Sequence, residues 1–202
     1  MRNIYLINKE RSGKTYRTKI NDASTDNSPA KVTGTITEEI GSIGSIEMYV
    51  YANNPGYNVI KPYSSRILAT DQQGNTIFLG RVLRVTPEFS ASGFGRKVIC
   101  ESMIGFLHDQ PVPIQVFNDT IPNILNKVLG LYNKTHSDVW KFDASGIDGE
   151  LLAEKHEIQS EGESLYEFIS NKLFSALGLE MRVWVDGVVV SNDYYQTMYI
   201  GA

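Results

Sequence analysis

The run Arg11-Ser12-Gly13-Lys14-Thr15 ends the way a phosphate-binding loop ends, and a strand-like stretch, Ile4-Tyr5-Leu6-Ile7, precedes it. Such a loop needs a glycine five residues before Gly13, where this chain has Asn8. It also needs a following helix, whose first amides cradle the phosphate. Tyr16-Arg17-Thr18-Lys19-Ile20 is rich in β-formers instead, so the run reads as a basic hairpin turn. The histidines, His108, His136 and His156, lie outside zinc-ligand spacing of one another and of Cys100, and read as surface or loop residues. Cys100 sits in an alternating strand and reads as a small core residue rather than a nucleophile. Asp143, Asp148, Glu150, Glu154, Glu157, Glu161 and Glu163 form an acidic run without the Asp/Asn ladder of a calcium loop, which reads as a solvated segment. No Gly-x-Ser-x-Gly occurs. The expectation is therefore no catalytic residue, no cofactor and no metal. What remains is a group of tyrosines around Pro55-Gly56: Tyr49, Tyr51, Tyr57 and Tyr63. They either cap a core or lie at an interface, since large rings with a polar tip serve both.

The elements that would position them are mostly strands. Ile4–Ile7 and Tyr16–Ile20 read as strands, and Asn21–Pro29 as a polar loop. Lys31–Thr37 alternates Val32, Gly34 and Ile36 against threonines, and Ile46, Met48 and Val50 fall on the strand face opposite Glu47, Tyr49 and Tyr51. Pro55-Gly56 and Pro62 break the pattern; Arg66–Thr70 and Thr76–Arg84 form a hairpin across Asp71–Asn75. A further strand around Phe89 turns at Ser92-Gly93-Phe94-Gly95 and returns as Arg96–Glu101. Short strands with hairpin turns at this spacing predict a barrel or sandwich over residues 1–110.

After Pro111 and Pro113 the periodicity becomes helical. Ile121, Ile124, Leu125, Val128, Leu129 and Tyr132 share a helix face, with Thr120 as N-cap and Pro122 in the first turn. Trp140 and Phe142 are apolar anchors in a polar stretch, and Lys155–Gln159 reads as a strand. Ser164-Leu165-Tyr166-Glu167 is a capping box opening a helix that buries Leu165, Phe168, Ile169, Leu173, Ala176 and Leu177 and closes at Gly178. Leu179, Met181, Val183 and Val185 alternate, and Asp186-Gly187 turns the chain into Val188–Val190. The expected fold is a β-rich α+β chain: a β-barrel over 1–110 and a small α+β domain over 111–202, two helices on a short sheet.

Charge supports the division. The chain has 202 residues and a net charge of −4. Residues 1–110 hold 13 Lys/Arg against 10 Asp/Glu, and residues 111–202 hold 6 against 13, about +3 and −7. An acidic second half argues against nucleic-acid binding there. A single cysteine excludes an intrachain disulfide framework. Ile4–Ile7 is too short for a signal peptide, stopping at Asn8-Lys9-Glu10-Arg11, so the glycosylation patterns at Asn118 and Asn133 carry little. No apolar stretch of about 18 residues suggests a membrane span.

The run Asn53-Asn54-Pro55-Gly56-Tyr57, followed by Ile60-Lys61-Pro62, then Asp71, Gly74 and Ile77-Phe78-Leu79-Gly80-Arg81-Val82-Leu83, resembles the N-terminal region of phage tail-tip hub proteins. These are the tail-associated lysin, or prophage endopeptidase tail, family of long-tailed phages. Gly93, Lys97, Cys100-Glu101-Ser102 and Gly105-Phe106-Leu107 fit the same pattern, and Ile121–Tyr132, Ser164–Ile169 and Val183–Val190 continue it. The resemblance implies a tail-tube-like barrel followed by an α+β domain, three subunits placing their barrels in a hub ring, and a place in the virion tail tip after synthesis in the host cytoplasm. It implies docking on the distal tail protein around the tape-measure protein, with no sequence-specific nucleic acid and no membrane as partner. The chain ends at Ala202 without the second barrel or the peptidoglycan-cleaving domain of longer relatives, so their lytic activity is not carried over. Weak trimerisation is expected for one barrel per subunit. A carbohydrate- or receptor-binding module using exposed tyrosines and Trp140 is the alternative.

Overall fold

The computed structural model describes residues 2–9, 15–22, 32–38, 42–90, 93–136, 141–143, 153–175, 182–186 and 197–201. The chain divides into two compact units. The first comprises Met1–Glu39 and Ile43–Met103 with Ser191–Asp193; the second comprises Ile104–Val190 and Tyr194–Ala202 with Ile40–Ser42.

In the first unit, β1 (Asn3–Lys9), β2 (Thr15–Asn21), β3 (Val32–Thr37), β4 (Ser45–Tyr51), β5 (Arg66–Thr70), β6 (Thr76–Ser90) and β7 (Gly93–Ser102) form one seven-stranded sheet in the order β2-β1-β5-β6-β7-β4-β3. Every ladder in it is antiparallel. Alternation sets one face: Leu6, Ile46, Met48, Val50, Ile67, Val82, Val98 and Cys100 are buried together. At the closed barrel expected from the sequence, the described residues differ. The strand order is open, with β2 and β3 at its ends, and no ladder joins them. In place of a ladder, the Val32 N–H donates to Asn21 Oδ1 at 3.0 Å, and Ile20 of β2 and Val32 of β3 enter the same core. A sheet whose two end strands share a core has curled, helped by bulges at Ile4/Tyr5, Ala69/Thr70 and Val82/Arg84.

The turn after β4 is tied into that core. Asn54 is buried; its amide donates to the Ile20 carbonyl at 2.8 Å and its Oδ1 accepts from the Gly56 N–H at 2.8 Å. Gly56 is required there, because a Cβ would lie 2.6 Å from Ile20 Cγ2. The separate strands expected at 76–84 and around Phe89 are one 15-residue strand.

The second unit opens with a 3-10 helix, Met103–Asp109, then β8 (Gln115–Thr120), α1 (Ile121–Thr135), β9 (Lys141–Asp143), β10 (Lys155–Ser160), α2 (Leu165–Glu167) continuing as a π-helix over Phe168–Phe174, β11 (Arg182–Asp186) and β12 (Thr197–Gly201). α1 buries Ile121, Ile124, Leu125, Val128, Leu129 and Tyr132, the stripe read from the sequence. Thr120 occupies the N-cap position but makes no side-chain cap. Asp119 supplies one instead: its carboxylate accepts from Lys127 Nζ (2.8 Å), Asn123 Nδ2 (2.8 Å) and the Thr120 N–H (2.9 Å), which together hold its pKa far below the usual carboxylate range.

The capping box at Ser164 and Glu167 forms as expected. The helix behind it widens into i→i+5 bonding, which brings Phe174 round to the buried side with Leu173. Ala176, Leu177 and Gly178, and the return at Val188–Val190, lie outside the described residues; among the described ones β11 pairs with β12, and β12 pairs in parallel with β9. Phe142 is buried against Tyr132, and Trp140 lies outside the described residues. Among the described residues no helix is long and apolar enough to cross a membrane.

Candidate assembly surface

The hairpin of β6 and β7 overhangs its neighbours. The β5–β6 ladder runs from Thr76 to Arg81, with Ser65 and Tyr63 still bonded to Val82, and the β4–β7 ladder ends at Gly95, with the Ala52 N–H still donating to the Phe94 carbonyl. Beyond those points the two strands run on, paired with each other, to Ser90 and Gly93. Arg81 and Glu101, directly opposite in the ladder, form a largely buried ion pair at its base.

Tyr49 clamps the overhang from the outer face of the sheet. Its hydroxyl lies 2.9 Å from both the Glu88 and the Gly93 carbonyls, so one O–H reaches both strands of the hairpin. Its ring occupies the space over Gly95, where a Cβ would come within 2.4 Å of Tyr49 Cε1. Tyr51 packs edge-on against it at 4.9 Å. Tyr49→Phe is expected to speed amide exchange at Phe94–Arg96 severalfold relative to the β4–β7 interior, as loss of about 1 kcal/mol of hydrogen bonding would. Equal rates in variant and parent would refute the clamp.

Tyr57 lies on the other face. The Arg96 guanidinium stacks 4.2 Å from its ring centroid and donates to its carbonyl, and Phe94 stands at 6.1 Å. Phe89 continues the ridge, 5.1 Å from Phe94. Exposure rises along it, from half-buried Tyr57 through Phe94 at 42% to Phe89 at 82%. Tyr63 stands apart: its N–H donates to the Val82 carbonyl, its φ is 57° and its side chain is 67% exposed. The four tyrosines therefore divide among three places, and the aromatic surface that protrudes consists of Phe89 and Phe94. Sequence reading did not single these out; their equal distance from the Ser90–Gly93 turn is the signal that pairs them on one face.

On the outer face, a shallow groove of about 460 Å³ is lined by Thr33, Thr35, Glu47, Tyr49, Glu88 and Lys97. Lys97 Nζ is 2.6 Å from Glu47.

The other chemistry-bearing residues resolve into structure. Burial pushes the Cys100 thiol far up. His108 Nδ1 lies 3.2 Å from Ser164 Oγ, and Glu167 is adjacent, which brings Ser, His and Glu together. The Glu167 carboxylate accepts from the Ser164 hydroxyl (2.8 Å) and the Ser164 N–H (3.1 Å), so it caps the helix instead of orienting an imidazole. Those bonds hold the Glu167 pKa below its usual value. Among the described residues no three His, Cys, Asp or Glu side chains converge as a metal cage would require. Residues 10–14, which include most of the loop-like run, lie outside the described residues.

No family model matches the chain. No curated protein matches it. The fold does match solved structures. The tail protein from Neisseria meningitidis MC58 superposes with a TM-score of 0.57 at 12% identity, over 98% of this chain and 50% of that one. The Escherichia coli c3393 protein is a component of the type VI secretion system with structural similarity to the T4 bacteriophage tail proteins gp27 and gp5; it superposes at 0.55 and 16% identity, over 85% of this chain and 48% of its own. Prophage tail protein gp18 from Listeria monocytogenes EGD-e gives 0.53 and 13%, over 98% and 50%. At these identities the likeness is one of fold, and this chain spans about half the length of the proteins it matches.

Proposed function

We propose that the chain is a structural, non-enzymatic component of a phage or prophage tail tip. The observation that carries this is the fold: a curled antiparallel sheet and a following α+β unit that superpose on the Neisseria and Listeria tail proteins over 98% of this chain. The finer reading makes the first unit, over residues 1–110, one barrel of a trimeric hub ring that closes the tail tube and docks on the distal tail protein. In that reading residues 111–202 form the companion domain, and the relatives are the tail-associated lysins. In that reading Tyr49, Tyr51, Tyr57 and Tyr63 are the interface residues, with Tyr63 beside Val82 at the hairpin base and Tyr57 against Arg96 and Phe94 nearer its tip. The carbohydrate-binding alternative is the weaker one, because the Tyr49 ring, the stacking face its groove would offer a sugar, is packed on Gly95 and Tyr51.

An antibody against the chain, viewed by electron microscopy on purified particles, is expected to label the distal end of the tail. Tails from a host lacking the coding sequence are expected to lack that end structure. Unlabelled particles alongside free protein in the lysate would overturn the reading.

A further inference from the structure

The helix behind the capping box departs from the α register at one charged position. Residues i, i+3, i+4 and i+7 share an α-helix face. Counted from Leu165, that face takes Phe168, Ile169 and then Lys172. Leu165, Phe168 and Ile169 are fully buried, so an unbroken α-helix would carry the ammonium toward the core, where an uncompensated charge is costly. The backbone avoids this. The Phe168 N–H still donates to the Ser164 carbonyl, four residues back, but the Ser175 N–H donates to the Ser170 carbonyl, five back. Steps of five lead from Phe168 and Ile169 to Leu173 and Phe174, and both are buried. Lys172 is passed over, and the connection that precedes the helix holds it. Its Nζ donates to the Gln159 carbonyl at 3.0 Å and lies 3.2 Å from Glu161 Oε2 and 3.0 Å from Glu163 Oε1. Gly162, at φ 91°, turns the chain between the two glutamates. Glu163 Oε1 is buried, and among the described residues Lys172 is the cation beside it.

We infer that Lys172 is the catch of a helix with two registers. With the ammonium in its cradle of three oxygens, residues 168–174 run in the π register, Leu173 and Phe174 inward. With the charge removed, the segment returns to the α register, position 172 takes the inward place and Phe174 leaves it. The π-helix is the rarer form and needs a reason to persist. Here the reason is twofold, the ion contacts of Lys172 and the burial of Phe174. A slip of one residue turns a helix position by about 100°, enough to draw the ammonium away from all three oxygens. The same slip turns whatever follows by that angle, so the catch sets the heading of the chain after Ser175. Two packings of one segment, separated by the contacts of a single side chain, make a bistable element.

Lys172→Leu supplies the test, because it removes the charge and suits the inward place. NMR couplings across hydrogen bonds, measured on the full chain, name the carbonyl that each amide uses. The Ser175 N–H is expected to report Ser170 in the parent and Asn171 in Lys172→Leu. Thermal melts read the same slip from the side chain. Phe174→Ala is expected to lower the melting temperature by roughly 10 °C in the parent, as emptying a buried phenylalanine site does. In the Lys172→Leu background it is expected to lower it by no more than about 2 °C, because the ring has left the core. Lys172→Met replaces Lys172→Leu if the latter does not melt cooperatively. A parent whose Ser175 N–H bonds to Asn171, an uncharged variant that keeps the bond to Ser170, or a Phe174→Ala substitution equally costly in both backgrounds would each overturn the catch.

Discussion

Gly80→Ala is expected to lower the melting temperature by roughly 10 °C, the shift that about 3 kcal/mol produces in a chain of this size. Gly80 sits in β6 between Ile67 of β5 and Ser102 of β7. A Cβ there would lie 1.9 Å from the Glu101 carbonyl oxygen and 2.8 Å from Phe78 Cε1. The carbonyl belongs to the β7 backbone, and moving it disturbs the ladder beside the Arg81–Glu101 pair. One effect opposes the loss: alanine stiffens the unfolded chain, worth about 0.4–1 kcal/mol. Overpacking against backbone costs about 1–3 kcal/mol and sometimes more, so the loss wins. Gly130 is the internal control. It lies exposed in α1, with nothing within 4 Å of the Cβ it would gain. There the same substitution is expected to stabilise by about 0.5–1 kcal/mol through helix propensity. Thermal melts of the two variants check both signs, and a Gly80→Ala protein as stable as its parent would show that β7 shifts at no cost.

Phe168→Ala is expected to cost the second unit about 3–5 kcal/mol, the usual range for emptying a phenylalanine site in a core. Phe168 is fully buried where the capped turn becomes a π-helix, and its ring packs on Phe117. The loss therefore reaches both the helix and the β8–β10 ribbon. Phe89 differs in its chemistry. It is exposed, and substituting it away from the core is expected to change stability by no more than about 0.5 kcal/mol. Urea unfolding of Phe168→Ala and Phe89→Ala separates the two roles, since one phenylalanine holds the unit together and the other faces outward.

Much of the fold was legible where a single period governs a segment. The six buried positions of α1 repeat at helical spacing, and Ile46, Met48 and Val50 alternate in β4; burial follows both patterns. Legibility failed where tertiary context decides. Pro87 lies inside the long β6, where a proline would be expected to interrupt a strand; it stands beyond Arg81, the last β6 residue paired with β5. β8 was hidden behind Pro111 and Pro113, and its buried Phe117 is explained by residues far along the chain, Ile158 opposite it in the ladder and Phe168 against its ring. Phe174 falls off the α-helical stripe and is buried only because the helix widens. The tyrosines were close in sequence, but strand alternation sends Tyr49 and Tyr51 to the face opposite Tyr57. That the hairpin overhangs at all depends on where β4 and β5 stop pairing, which no local pattern in β6 or β7 records.

The single thiol has a practical bearing on all of these experiments. Cys100 is wholly buried, flanked by Ile46 on β4 and Val82 on β6. Only a thiolate reacts readily with an alkylating reagent, and burial suppresses that form. Labelling must therefore wait until the strands around residue 100 part. The chain has no other cysteine, so the labelling rate is a one-site clock for opening of the curled sheet, silent about the α+β unit. Run in parallel on the Gly80 and Phe168 variants, that clock should quicken for the first and keep the parent's time for the second.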